Sequence, residues 1–191
     1  MIGNDIIDLK LSLGKNNWKR KGFLNKLFSE EEQDQILKSK DPEFSTCLLW
    51  AMKESAYKAH QRRFDLPRIF NPKAYRCELN GDKRASVSGK VSIDGNSYLT
   101  KVSISKEYIY CYATLSNSTN FVQKIYFKPT DLKLELINAV SKQQNLPKEK
   151  IFIKKTSQFI PFLISENQKL FCNFSMTHHG DFSAFIMELR N

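Results

Sequence analysis

The longest regular pattern of apolar and polar positions lies between residues 44 and 61. Apolar side chains recur there at the spacing of a helix face, which predicts the main helix of the first half of the chain. A shorter helix is expected over residues 30–39, because Ser29 is a typical N-cap and Glu32 follows three residues later. The opening segment, residues 2–9, has the composition of a strand with a turn-forming Gly-Asn pair inside it.

Short segments rich in β-branched and aromatic residues follow, and polar turns separate them. In the first half, strands are expected around residues 74–79, 86–93, 98–104 and 108–115. Residues 116–120 (SNSTN) have the composition of a linker. The second half has the pattern of a strand (121–127), a helix from about Thr130 to Gln143 with Thr130 as N-cap, and strands near 150–155, 160–164, 169–175 and 182–189. We therefore expect an α+β fold whose linker separates residues 1–118 from residues 119–191.

Two segments near the ends of these halves share one pattern. Lys101–Tyr108 and Asn173–Phe182 both alternate small hydroxyl and apolar residues before an aromatic strand. Two unrelated amphipathic hairpins would give the same match, but a duplicated half explains it better. The fold is therefore predicted to consist of two similar α+β lobes, a pseudo-dimer.

The composition is that of a chain with a real core. Hydrophobic residues make up 41% of the 191 residues, and no apolar run approaches the ~18 residues of a membrane-spanning helix. The N-terminus carries Asp5 where a secretory signal would be basic and then apolar, so a cytoplasmic location is expected. The four cysteines form no CxxC pair and have no histidine at zinc spacing, which favours reduced, buried thiols over a disulfide or metal role.

The formal net charge of +10 narrows the class of partner. A basic field suits polyanions, which include nucleic acid, an acidic protein and phosphorylated ligands. Charge alone does not choose among them.

Three groups of residues have the chemistry of a phosphate site. Asp5 follows a glycine in the first strand, where the backbone can turn tightly and leave room for a ligand. Glu54 and Lys58 are four residues apart on an apolar helix, so they share one face, either as an exposed ion pair or as part of a site. Two carboxylates suit Mg²⁺, and a lysine suits a phosphate. Two adjacent histidines, His178 and His179, are typical of an exposed turn, but one of them can serve a site while the other is solvated.

These motifs together resemble the 4′-phosphopantetheinyl transferase superfamily. IGND followed by WAMKESAYK is similar to the paired G-x-D and W/F-x-x-K-E-[AS]-x-x-K signatures, in the order of the small holo-acyl-carrier-protein synthase branch. NFSMTHHGDFSAF is similar to the S-x-S-H strand. The segment before it, residues 151–163, resembles the region of the G-K-P motif in the two-lobed, surfactin-type branch. The resemblance therefore touches both halves of the chain.

The resemblance implies a role for each matching position. Asp5 and Glu54 match the magnesium ligands, and Lys58 matches the lysine that steadies the phosphates. His178 matches the histidine that contacts coenzyme A. The implied catalytic residues are thus Glu54, Lys58 and Asp5.

Two further cations are implied as coenzyme A contacts. Lys53 precedes the metal-binding glutamate, and Arg62 belongs to a group of basic residues able to hold a phosphate or an acidic carrier protein. The chain also departs from the family pattern. Ile7 stands where the surfactin-type branch has a second acid, which implies that water replaces that ligand. His60–Phe64 replaces the expected glycines, and Phe159-Ile160 replaces Gly-Lys.

The implied reaction moves phosphopantetheine from coenzyme A to a serine of an apo acyl or peptidyl carrier protein and releases 3′,5′-ADP. Glu54 is the candidate base for the serine, directly or through a water. The second S-x-S-H-like strand keeps His178 whereas the first has Lys106, which predicts a monomer with its site between its own two halves. Two alternatives stay open, a nucleic-acid-binding module and an inactive homologue that still grips a carrier protein. Retention of Asp5, Glu54 and Lys58 speaks against the second.

The formal net charge of +10 leads to a first testable prediction. We expect kcat/KM for an acidic carrier to fall as salt rises, because steering charges are screened beyond about 8 Å at physiological ionic strength. Steady-state kinetics over a salt series tests this, with coenzyme A binding followed in parallel because its phosphates are also salt-sensitive. A flat profile would contradict the prediction.

Overall fold

The structure, a computed structural model, describes residues 1–14, 18–80, 86–115, 120–128 and 130–189. The first part of the chain forms β1 (Ile2–Asp8), α1 (Leu9–Ser12), α2 (Phe23–Leu27), α3 (Glu30–Lys38), α4 (Pro42–Phe64), a 3₁₀ turn (Pro72–Ala74), β2 (Arg76–Asn80), β3 (Ser86–Ile93), β4 (Asn96–Ile104) and β5 (Tyr108–Thr114). The second part forms β6 (Phe121–Phe127), α5 (Leu132–Gln144), a 3₁₀ turn (Lys148–Lys150), β7 (Ile151–Lys155), β8 (Pro161–Ser165), β9 (Gln168–Lys169), β10 (Phe174–His179) and β11 (Phe182–Glu188).

The described strands form three antiparallel sheets. Their orders are β1-β5-β4-β3-β2, β10-β11-β6 and β7-β8-β9, and the mixture with helices is the α+β class that was expected. The first strand of each part pairs with the last strand of that part, β1 with β5 and β6 with β11. The pseudo-dimer itself stays a prediction. Four residues of the predicted linker (116–119), and with them the expected boundary, lie outside the described residues.

Helix α4 is the centre of the first part, and it packs against β1, β5 and α3. The predicted helix over residues 44–61 is confirmed, and it extends at both ends. It begins earlier because the Asp41 side chain accepts the Phe44 N–H at 2.9 Å and Pro42 is compatible with the first helical position. In the part of the chain that the structure describes, no helix is long and apolar enough to cross a membrane.

A buried ion pair joins α3 to α4. The predicted capping box is confirmed, since Glu32 accepts the Ser29 N–H at 2.8 Å. The same carboxylate accepts from Lys53 Nζ at 2.7 Å, and Lys53 also donates to the carbonyls of Pro72 and Tyr75. Lys53 is 0% exposed, so its position does not support the implied contact with a phosphate. Its charge is neutralised inside the core, as a buried ammonium requires.

Gly3 does not form the turn that the Gly-Asn pair indicated. Strand β1 is continuous, and Gly3 pairs with Ala113 on β5. A Cβ on Gly3 would lie 2.1 Å from the Ser55 carbonyl oxygen and 2.6 Å from the Ala59 nitrogen, both on α4. The glycine therefore provides room for the helix backbone rather than for a ligand, and it lets α4 lie directly against β1.

Two boundaries in the second part differ from the prediction. The N-cap of α5 is Asp131 instead of Thr130, because the carboxylate of Asp131 accepts two N–H groups, from Lys133 and Leu134, each at 3.1 Å. The strand expected over residues 169–175 is divided between β9 and β10. The Cys172 N–H donates to the Leu170 carbonyl at 3.0 Å, and this tight turn redirects the chain to pair with β11.

Strand β10 joins the two parts of the chain through its side chains. Alternate residues of a strand point to one face, and three on β10 meet β1. The bonds are the Asn4 N–H to Ser175 Oγ (3.1 Å), the Thr177 hydroxyl to Asp5 Oδ1 (2.9 Å) and the Asp8 N–H to His179 Nδ1 (2.9 Å). This ladder fixes the register between the two strands and brings the two ends of the sequence together.

Substitution of Gly3 tests the close approach of α4. Gly3→Ala should reduce the free energy of unfolding by about 1–3 kcal/mol, the usual range for overpacking, because the new Cβ collides with backbone atoms. Denaturant unfolding measures the loss. Gly95→Asn is the control, because Gly95 has φ +72° with open space around it and asparagine tolerates that conformation. Unchanged stability of Gly3→Ala would contradict the packing argument.

Candidate active site

A cavity of about 580 Å³ is lined by β1, α4 and β10 together with segments next to them. Its polar lining includes Asp5, Glu54, Lys58, Arg68, Thr177, His178 and His179, together with the hydroxyl residues Ser12 and Thr46. Four of these residues, Asp5, Glu54, Lys58 and His178, were predicted from motifs at opposite ends of the sequence. The structure therefore brings these four to one place within a single chain.

Lys58 is held against the first strand. Its Nζ donates to the Asn4 carbonyl at 2.8 Å, to Asp5 Oδ1 at 3.0 Å and to Thr177 Oγ1 at 3.3 Å. This geometry depends on Gly3, because only a close helix lets a side chain of α4 reach the backbone of β1. The ammonium is thereby fixed at the cavity wall beside a carboxylate.

Thr177 is a site residue that the sequence reading missed. Its hydroxyl donates to Asp5 Oδ1 at 2.9 Å and accepts from Lys58, so the Asp5 carboxylate is oriented from two sides. The available signal was the alternation of Ser175, Thr177 and His179, which places three polar side chains on one face of a strand.

Glu54 is the electrostatically strained member of the site. Burial raises the pKa of its carboxyl group above the ordinary value of 4.5, and the nearby Asp5 carboxylate raises this pKa further. Lys58 and Arg68 act in the opposite direction. Two carboxylates that repel each other at one cavity favour a bound cation.

The donor set fits Mg²⁺ that binds together with a phosphorylated ligand. Among the described residues there is no group of three or more His, Cys, Asp or Glu that could hold a metal ion. Mg²⁺ does not require one, since it is usually bound through one or two carboxylates plus substrate phosphates and water. Asp5 and Glu54 supply those carboxylates. Ile7 lies on the same strand face as Asp5 and lines the cavity, and its side chain offers no oxygen.

The two histidines have different environments. His178 lines the cavity and is exposed, whereas His179 accepts the Asp8 N–H through Nδ1 and so has that nitrogen unprotonated. The Asp8 side chain accepts the Asp181 N–H at 3.0 Å, so it supports the turn after His179 from outside the cavity lining. Gly180 has φ +58°, and a Cβ there would lie 2.2 Å from the Asp8 carboxylate, so the turn after His179 requires glycine.

Arg62 is not among the described residues that line the cavity. Its guanidinium folds back along α4 and donates to the Lys58 carbonyl at 2.9 Å, and burial lowers its pKa to about 10. The expected coenzyme A contact is therefore not supported at this residue. Arg68, on the loop after α4, is the arginine at the cavity, and the sequence reading did not single it out.

The two remaining departures from the family motifs, beside Ile7, have different structural consequences. His60–Phe64, in place of glycines, continues α4 to its last turn. Phe159, in place of a glycine, has φ +61° and is 67% exposed. Phe159 therefore has a left-handed backbone conformation that favours glycine, although its side chain is bulky.

The first 113 residues match the family model of the 4′-phosphopantetheinyl transferase superfamily, which is more than half of the chain. The protein belongs to this superfamily. No individual curated protein matches the chain significantly. The match ends within β5, so it includes Asp5, Glu54 and Lys58 and does not extend to β10.

Stability measurements test the electrostatics of the two carboxylates. The folded state binds the Glu54 proton more tightly than the unfolded state, so the free energy of unfolding falls as pH rises from about 4.5 through the raised pKa. Glu54→Gln removes this loss, and without divalent cations we expect it to be more stable than wild type at neutral pH. Asp5→Asn should instead lose about 1–3 kcal/mol, because it breaks the pair with Lys58. Urea titrations of wild type, Glu54→Gln and Asp5→Asn across this pH range measure the two opposite changes in the free energy of unfolding. A Glu54→Gln variant that is less stable than wild type at neutral pH would contradict the conclusion that the ionised Glu54 carboxylate destabilises the folded state.

Proposed function

We propose that the protein transfers the 4′-phosphopantetheine arm of coenzyme A to a serine of an acidic apo acyl or peptidyl carrier protein. The observation that carries this proposal is the meeting of Asp5, Glu54, Lys58 and His178 at one cavity. Metal-ligand carboxylates, a phosphate-binding lysine and a coenzyme A-contacting histidine are the groups that the reaction needs. Membership of the superfamily supports the same reaction class.

The reaction is a phosphoryl-type transfer. The serine oxygen forms a bond to the β-phosphorus of coenzyme A, and the bond from this phosphorus to the bridging oxygen breaks, so that 3′,5′-ADP leaves. Asp5 and Glu54 would hold Mg²⁺, which when bound neutralises charge on the diphosphate. Glu54 is the candidate base for the proton of the serine hydroxyl, directly or through a water.

The other polar groups position the substrate. Lys58, fixed by Asp5 and Thr177, holds a localised positive charge at the phosphates, and Arg68 adds a second. His178 is exposed at the cavity and free to meet coenzyme A from the side of β10. Trp50 and Phe28 supply apolar wall that limits water around the reacting groups.

We further propose that the protein works as a monomer built from two similar lobes. Residues 1–118 would supply the metal-binding groups and residues 119–191 the coenzyme A contact. The presence of residues from both segments at one cavity of a single chain supports this arrangement. Light scattering of the active protein tests it.

The function is tested by incubating the protein with coenzyme A, Mg²⁺ and a panel of apo-carriers, and following the mass of each carrier. Transfer should require the divalent ion, and Asp5→Ala and Glu54→Ala should each reduce the rate by at least about 10²–10³-fold. Glu78→Ala is the matched control, because its side chain is 60% exposed in a surface pair with Lys90. Wild-type rates in either folded cavity variant, or after exhaustive chelation, would refute the metal assignment.

Calorimetry with coenzyme A separates the alternatives. A protein that binds coenzyme A and carrier without transferring would be an inactive homologue. A protein that ignores coenzyme A but binds nucleic acid would be a basic binding module.

A further inference from the structure

The loop after α4, residues 65–70, is fixed beside the cavity, and we call it the rim loop. Phe70 stacks on Tyr57 with ring centroids 4.6 Å apart, and it lies 5.6 Å from Trp50. Trp50 itself lines the cavity, as does Arg68 of the rim loop. The anchored ring of Phe70 therefore holds the loop at the same cavity as Glu54.

The rim loop presents apolar side chains to solvent. Ile69 follows Arg68 directly and is 76% exposed, the highest value among the large apolar residues described. Leu66 and, just before the loop, Phe64 are also exposed. Three exposed apolar side chains within six residues, next to a cavity, are typical of a protein contact surface.

The charge of this region is strongly one-sided. Residues 63–73 contain three cationic side chains (Arg63, Arg68 and Lys73) and one acid, Asp65. The Asp65 carboxylate accepts from the Thr156 hydroxyl at 3.4 Å. A second copy of this chain would place like charges together, whereas an acidic protein complements the surface.

We propose that the rim loop is the docking surface for an acidic carrier protein, with Ile69 as its central apolar contact and Arg63 and Arg68 as its charged flank. The proposal rests on the proposed function for the identity of the partner. It also satisfies a geometric requirement, because a carrier seated on a loop that borders the cavity brings its serine close to Glu54. Arg68 connects the two regions, since it lines the cavity and acts on the Glu54 carboxyl electrostatically.

Two substitutions at one position isolate the charge of the partner. Ile69→Asp and Ile69→Lys both remove the apolar contact. Only Ile69→Asp introduces a negative charge, which repels an acidic partner. We expect Ile69→Asp to weaken the Kd for apo-carrier by about 10-fold or more, and Ile69→Lys by no more than roughly 3-fold. The difference in Kd between the two variants should disappear at high salt, because salt screens the introduced charges. The Kd is measured by fluorescence anisotropy of labelled apo-carrier, without transfer, and affinity for coenzyme A should be unchanged in both.

Phe152→Asp is the matched control, since Phe152 is 54% exposed on β7 and does not belong to the rim loop. It should bind carrier like wild type. Equal affinity of wild type and Ile69→Asp for the carrier overturns the docking surface, and equal losses in the Asp and Lys variants overturn the acidic partner. A wild-type dimer that Ile69→Asp dissociates, or nucleic-acid binding that it abolishes, also overturns the proposal.

The binding and transfer measurements separate this inference from the function on which it rests. If wild type binds carrier through Ile69 but never transfers, the docking surface stands and the proposed reaction fails. If wild type transfers phosphopantetheine and Ile69→Asp has the wild-type KM and Kd for the carrier protein, the proposed reaction stands and the docking surface fails.

Discussion

The close contact between α4 and β1 at Gly3 is the constraint on which the site depends. A side chain larger than hydrogen at this position would meet the backbone of α4 at Ser55. The missing Cβ lets the helix lie directly on the strand, so that Lys58 reaches both the backbone and the Asp5 carboxylate of β1. The glycine of the G-x-D motif thus acts through packing, and the acid two residues later is the chemical group that this packing serves.

The carboxylates of the site are unequally satisfied. Asp5 has an ammonium and a hydroxyl as partners, whereas Glu54 is half-buried near a like charge and has a raised pKa. The repulsion between these two carboxylates lowers the stability of the folded protein when no ligand is bound. A ligand that brings positive charge relieves the repulsion. This cost to the folded state is characteristic of functional sites, where electrostatic strain supports binding or proton transfer.

The polar ladder from β10 to β1 explains why the second part of the chain belongs to the same site. Its three bonds align Thr177 with Asp5. His178 lies between two bonded residues and is exposed where it lines the cavity. The family match ends before this strand. The ladder is therefore one physical link between the matched motifs and the remainder of the chain, beside the apolar contact of Ile6 and Tyr110 with Phe182 and Ala184.

The sequence by itself determined the features that depend on neighbours along the chain. These are helix α4, the Ser29 capping box, most strands, and the shared face of Glu54 and Lys58, because caps and helical spacing are set within a few residues. Only the tertiary structure decided that Lys53 is neutralised in the core, that Thr177 orients Asp5 and that Arg68 faces the cavity. Each of these depends on a partner or a surface distant in sequence, which no local pattern specifies.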